Sequence, residues 1–159
     1  MRQQGFTVLE MIIAIAIIAL IAVVSIKGWR NYQHKIHLIV VTQKVAAFIA
    51  RHQMQAAYLN QERQLIIKTD KTSNWMLIVT IKGKKDSQQS TEMKWINRHD
   101  EILLKSYSRI STLLLGKRGT ALPTTLRFSN HSEDILIIIS GLGRVRLCSH
   151  QRLGGIARC

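Results

Sequence analysis

Residues 5–26 read Gly5-Phe6-Thr7-Val8-Leu9-Glu10, followed by MIIAIAIIALIAVVSI from Met11 to Ile26. No charge falls between Glu10 and Lys27. As a helix, Phe6 to Ile26 extends about 31 Å at ~1.5 Å per residue, which matches a hydrocarbon core of roughly 30 Å. A buried core helix in so short a chain is rarely apolar on every face. A secretory signal would place a small-x-small cleavage site after the apolar run. Here the chain goes straight on into Ile26-Lys27-Gly28-Trp29, with no Cys to take a lipid. The segment therefore reads as a membrane-spanning helix, with Trp29 and Tyr32 placed for an aromatic belt at its interface.

Glu10 is the unusual residue in this stretch. A carboxylate at the edge of the hydrocarbon costs several kcal/mol unless a cation meets it. Ahead of it lies a short basic leader, Met1-Arg2-Gln3-Gln4-Gly5. A cut after Gly5 would create an α-amino group at Phe6. That amine could pair with Glu10 of the same chain or of a neighbouring subunit.

A short basic leader, then Gly5-Phe6, then Glu10 fifth after the cut and a long apolar helix resembles the class III signal of type IV pilins and pseudopilins. The resemblance implies cleavage between Gly5 and Phe6 by a prepilin peptidase of the inner membrane. It implies N-methylation of Phe6 by the same peptidase/methyltransferase, and a role for Glu10 in placing the subunit among other major and minor pilins. It also implies a single-pass inner-membrane protein with its head in the periplasm, later built into a filament. A simple positive-inside count points the other way, because Arg2 is outweighed by Lys27, Arg30 and Lys35. The cleavage pattern sets the orientation adopted here, since the peptidase must meet Gly5 on the cytoplasmic side.

Outward from this stretch, Leu38, Val41, Val45 and Phe48 recur on one helical face, while Lys35, Lys44 and Arg51 lie elsewhere. No Gly or Pro interrupts residues 29–59, so one helix is expected from Phe6 to Leu59. After Asn60-Gln61 the period changes. Strands are expected at 65–67, 75–81, 94–96, 102–104, 126–128 and 134–140, with a turn at 83–86 and a polar loop over 86–92. The apolar run Asp134–Ser140, the trio Gly141-Leu142-Gly143 and the run Arg144–Cys148 read as a β-hairpin. The expected organisation is a leader over 1–5, a transmembrane or filament-core helix over 6–26, an amphipathic continuation over 27–59 and a β-rich head over 60–159. The fold class is α+β, with the long helix packed on an antiparallel sheet.

The closing pattern, with Gly143-Arg144-Val145-Arg146-Leu147-Cys148, is similar to minor pilins of the pseudopilin-H and FimT class, and to small prepilin-peptidase-dependent proteins of Gram-negative bacteria. That resemblance implies two candidate machines. One is a type IV pilus used for competence or twitching, with this subunit initiating or tipping the filament. The other is the pseudopilus of type II secretion. In the periplasm disulfides persist, so Cys148 and Cys159 form a candidate bridge that would tie down a tail with little other attachment. Two separate thiols are the alternative. Arg144 and Arg146 sit two apart on a strand and so share a face, and guanidinium forks suit phosphate. With Lys117 and Arg118 between two glycines, and Arg152 in the tail, they make a candidate footprint for double-stranded DNA. The resemblance favours DNA as well, through uptake during natural transformation. A solvated basic face, or one that meets the acidic side of a neighbour, is the plain alternative. A non-assembling bitopic protein with a basic head remains a different class of reading.

Across its 159 residues the chain carries 23 Lys+Arg against 9 Asp+Glu, a net +14. Residues 101–159 hold 9 of those cations and 3 acids, so the basic balance lies outside the apolar helix. Two Cys cannot build a four-thiolate zinc site. Gly141-x-Gly143 has neither the third Gly nor a following helix of a dinucleotide fingerprint. His34 and His37 share a helical face without a third ligand. No nucleophile motif frames any Ser or His. The expectation is a non-enzymatic subunit without cofactor or metal.

Overall fold

A computed structural model describes residues 7–69, 74–82, 93–96, 101–107, 112–116, 118–131 and 133–159. Gly5, Phe6, Lys117 and the expected polar loop at 86–92 lie outside the described residues. One helix, α1, runs from Val8 to Tyr58. Gly28 does not break it, and no Pro falls within it. Its end is set by Asn60 in the left-handed region at φ 51. The Asn60 and Gln61 N–H groups donate to the Ala57 and Ala56 carbonyls (3.3 and 3.0 Å). This is the double closure of a Schellman stop, with Asn in the place Gly usually takes.

The chain divides at His34/Lys35 into two units. In the first, α1 carries the apolar run of residues 11–26. An 18-residue window of the helix reaches a mean hydropathy of 2.9, which makes it long and apolar enough to cross a membrane.

The second unit, Lys35–Cys159, holds the rest of α1 and, among the described residues, nine strands. These are β1 (Arg63–Thr69), β2 (Trp75–Ile81), β3 (Met93–Ile96), β4 (Leu103–Tyr107), β5 (Thr112–Leu115), β6 (Thr124–Ser129), β7 (Asp134–Ile139), β8 (Val145–Ser149) and β9 (Ala157–Arg158). They form two sheets rather than the single sheet expected, in the orders β3-β2-β1-β5 and β4-β6-β7-β8-β9. All pairs are antiparallel except β8 with β9, which is parallel. The parallel pair and the short strands β5 and β9 are departures from the sequence reading.

Both sheets and α1 share one core. Leu38, Val41, Val45, Ile49 and Ala56 of α1 bury against Leu65, Leu77 and Val79 of one sheet and Leu126, Phe128, Ile135, Ile137 and Ile139 of the other. The period-two burial of β7, with Ile135, Ile137 and Ile139 inward, is what its aliphatic run predicts. Trp75 joins the sheets: its ring lies 4.9 Å from Trp95 in a stacked pair and 4.8 Å from Phe128. The Trp75 indole N–H donates to the Ile102 carbonyl (2.8 Å), so this buried ring leaves no polar atom unsatisfied.

Candidate functional site

The first candidate is the start of α1. Thr7 precedes the first helical residue, and its Oγ1 accepts the Glu10 backbone N–H (3.3 Å). This is one half of a Thr-x-x-Glu capping box, a signal that was present in the sequence and missed. Glu10 also sits in the first turn, where the helix dipole favours an anion. Its carboxylate is exposed and meets no partner among the described residues of this single chain.

The second candidate is an arginine-lined end of the head. The hairpin of β7 and β8 turns through Gly141-Leu142-Gly143, with Ser140 N–H donating to the Arg144 carbonyl (3.0 Å) and Gly143 N–H to the Ser140 carbonyl (2.8 Å). Arg144 and Arg146 are both exposed, while Val145 and Leu147 between and beyond them pack on the core. The two arginines thus project outward together, as their spacing predicts.

Arg118 joins them through a contact that the sequence does not announce. Gly143 has φ 79, and a Cβ there would collide with the Gly119 carbonyl and the Gln53 side chain. The buried Gln53 carboxamide, from α1, donates to that same carbonyl. Ala121 N–H donates to the Gly141 carbonyl (3.1 Å). The loop bearing Arg118 is therefore held directly against the turn bearing Arg144. Arg118, Arg144 and Arg146 make no ion pair among the described residues.

Arg152 does not belong to this group. It follows the far end of β8, so the length of that strand separates it from Arg144. The expected footprint is divided between two ends of the sheet.

The tail around Arg152 is well held. Cys148 and Cys159 form a disulfide with Cα atoms 5.0 Å apart. Leu153 is buried in the core, and the Cys159 N–H donates to the Ser149 carbonyl (3.1 Å) beside the β8–β9 pair. The expectation of a tail attached by little besides its bridge is thus corrected. Nearby, Lys35 of α1 reaches the buried Glu133 carboxylate (2.8 Å).

Elsewhere a cleft of about 300 Å³ is lined by Glu101, Leu103, Lys105, Asn130 and His131. No group of three metal-ligating side chains occurs among the described residues.

Comparisons with known proteins agree with this architecture. Residues 1–26 match the family described as the prokaryotic N-terminal methylation motif. No curated protein matches the chain. The minor pseudopilin EpsH from the type 2 secretion system of Vibrio cholerae superposes with a TM-score of 0.52 at 15% identity, over 71% of this chain and 97% of that one. The chain thus joins an N-terminal methylation motif to a fold similar to that of a minor pseudopilin. Its methylation motif ends inside the apolar helix, and its pseudopilin-like head carries the two sheets and the arginine-lined turn.

Proposed function

We propose that the chain is a minor subunit of a pilin-like filament. It is held in the inner membrane by residues 6–26 once residues 1–5 are removed, with its head in the periplasm. The observation that supports this most is Glu10. It lies inside the matched methylation motif, ahead of a run that is apolar on all faces, and its side chain meets no partner among the described residues. A carboxylate so placed calls for the amine of a processed N-terminus, here Phe6 of the same or a neighbouring subunit. Intact-mass measurement of the protein from cells with active prepilin peptidase should find Phe6 first and methylated. A persistent Met1–Gly5 leader would overturn the reading. Glu10→Val should still insert into the membrane but be lost from filaments. Unimpaired incorporation would remove the role from Glu10.

Within that reading the arginine-lined turn favours a type IV pilus subunit that initiates or tips the filament and touches double-stranded DNA. Three guanidiniums without ion-pair partners among the described residues, on one end of a basic head, suit a phosphate backbone. The likeness to EpsH supports the other machine, type II secretion. Mobility shift of linear duplex DNA by the full-length protein in neutral detergent separates them. Arg144→Ala with Arg146→Ala should weaken a shift that is strong at low salt. No shift at low salt would leave the secretion reading.

A further inference from the structure

The locked pair of loops presents Leu142. At 89% exposure it is the most exposed aliphatic side chain described in the head, yet its backbone is fixed on several sides. The Ser140–Arg144 and Gly143–Ser140 hydrogen bonds close the turn, Ala121 holds Gly141, and Gln53 fills the space where a Gly143 side chain would stand. Exposed Leu122 and Pro123 lie at the foot of the turn, with the Pro123 ring 3.5 Å from where a Gly141 Cβ would be. Arg118 and Arg144 flank it. From Thr112 to Cys159 the only acidic side chains are Glu133 and Asp134, at the other end of β7, where Lys35 and Arg127 engage them; Glu62, next to the Arg63–Leu115 pair at the base of the Arg118 loop, is engaged by Lys82 (2.9 Å).

These properties describe an anchor for a partner. Covering a leucine removes its apolar surface from water and favours association. Rigid presentation removes the cost of ordering the turn on binding. A basic surround whose neighbouring acid is already paired selects carboxylates and rejects other basic surfaces.

We propose that the Leu142 turn is a docking knob for a second protein, and that its receptor is an apolar pocket rimmed by Asp or Glu on a companion subunit of the same filament. The inference rests on the filament reading above. Contacts to a nucleic-acid backbone would use the arginines and leave Leu142 in water, so the leucine favours a protein surface.

The test places a photoreactive residue at the tip of the full-length chain, Leu142→p-benzoylphenylalanine, in cells that make its companion subunits. Irradiation should give one dominant adduct. Mass spectrometry should trace it to a protein with its own prepilin-type N-terminus, at a segment carrying Asp or Glu. Adding Arg118→Glu and Arg144→Glu should lower the adduct by roughly 10-fold, and reversing the receptor's carboxylates to Lys should restore it. No adduct, adducts spread over unrelated proteins, or cross-links to nucleic acid alone would overturn the knob. Leu142→Asp should leave leader removal and membrane insertion unchanged, because nothing packs on that side chain. A wild-type chain found unprocessed would be the failure of the filament reading. A processed and incorporated chain without an adduct at 142 would be the failure of the knob alone.

Discussion

The His52 ring is 1% exposed, edge-on to Phe48 and facing Arg63. An Arg63 N–H sits 3.0 Å from His52 Nδ1 and a guanidinium nitrogen donates to Gln55 (2.7 Å). Because guanidinium only donates, Nδ1 must accept and the neutral ring carries its proton on Nε2. Burial, and then the Arg63 charge, hold the His52 pKa below its ordinary 6.5, and burial also lowers that of Arg63. The unfolded chain therefore takes up this proton first as pH falls. The contribution of the neutral ring is complete above about pH 6.5 and is lost as pH drops towards the folded pKa. Thermal unfolding of the head should shift to lower temperature between pH 7 and pH 5. His52→Gln, which keeps an acceptor for Arg63, should flatten that dependence.

Gly143 offers a second contrast. Gly143→Ala meets a positive φ worth about 1–3 kcal/mol and must also displace Gln53. Gly154→Ala, where nothing lies within 4 Å and φ is ordinary, should change stability by less than about 0.5 kcal/mol. Equal melting temperatures for the two variants would remove the lock.

Among the elements, α1, β2 and the β7–β8 hairpin were legible. Helical period, a β-branched run and a Gly trio each report a local preference that tertiary packing only reinforces. Strand β5 was not, since Thr112–Leu115 is short and its pairing with β1 is set by distant residues. Strand β9 is two residues long and exists because the disulfide and Leu153 bring Ala157 and Arg158 beside β8. The clustering of Arg118 with Arg144 was half legible: each arginine could be named, but the joint depends on Gln53, 66 residues from Gly119. A polar residue on a helix face carries no mark of so remote a partner.

The Lys35–Glu133 pair makes an asymmetric prediction about the join between α1 and the β6–β7 loop. Lys35→Met strands a buried carboxylate and should cost about 1–3 kcal/mol. Glu133→Gln leaves a half-exposed ammonium that water can solvate, so denaturant midpoints should fall less. Cys148→Ser with Cys159→Ser should cost roughly 2–3 kcal/mol, while Leu153 keeps the tail near the core and the head folded.

Taken whole, the molecule separates its charge from its apolar surface. Glu10 is the only charged residue in the described part of α1 before Lys27, and the basic excess lies beyond it. If DNA is the partner, the logarithm of the full-length protein's binding constant should fall linearly with the logarithm of salt concentration, and the Arg144→Ala, Arg146→Ala variant should show a shallower slope by roughly 1–2. An unchanged slope would place the contact elsewhere on the head.

The tryptophans have an optical consequence. Trp75 is buried and stacked on Trp95 across from Phe128, whereas Trp29 is exposed, 6.3 Å from Tyr32 in the other unit. A coupled indole pair in a dry core gives a near-ultraviolet circular-dichroism signal that vanishes when the sheets part. An exposed indole beside an apolar helix reports, by its emission colour and by quenching, whether lipid or water surrounds it. One chain thus carries two native chromophores, one for the integrity of its head and one for the surroundings of its apolar helix, without any label.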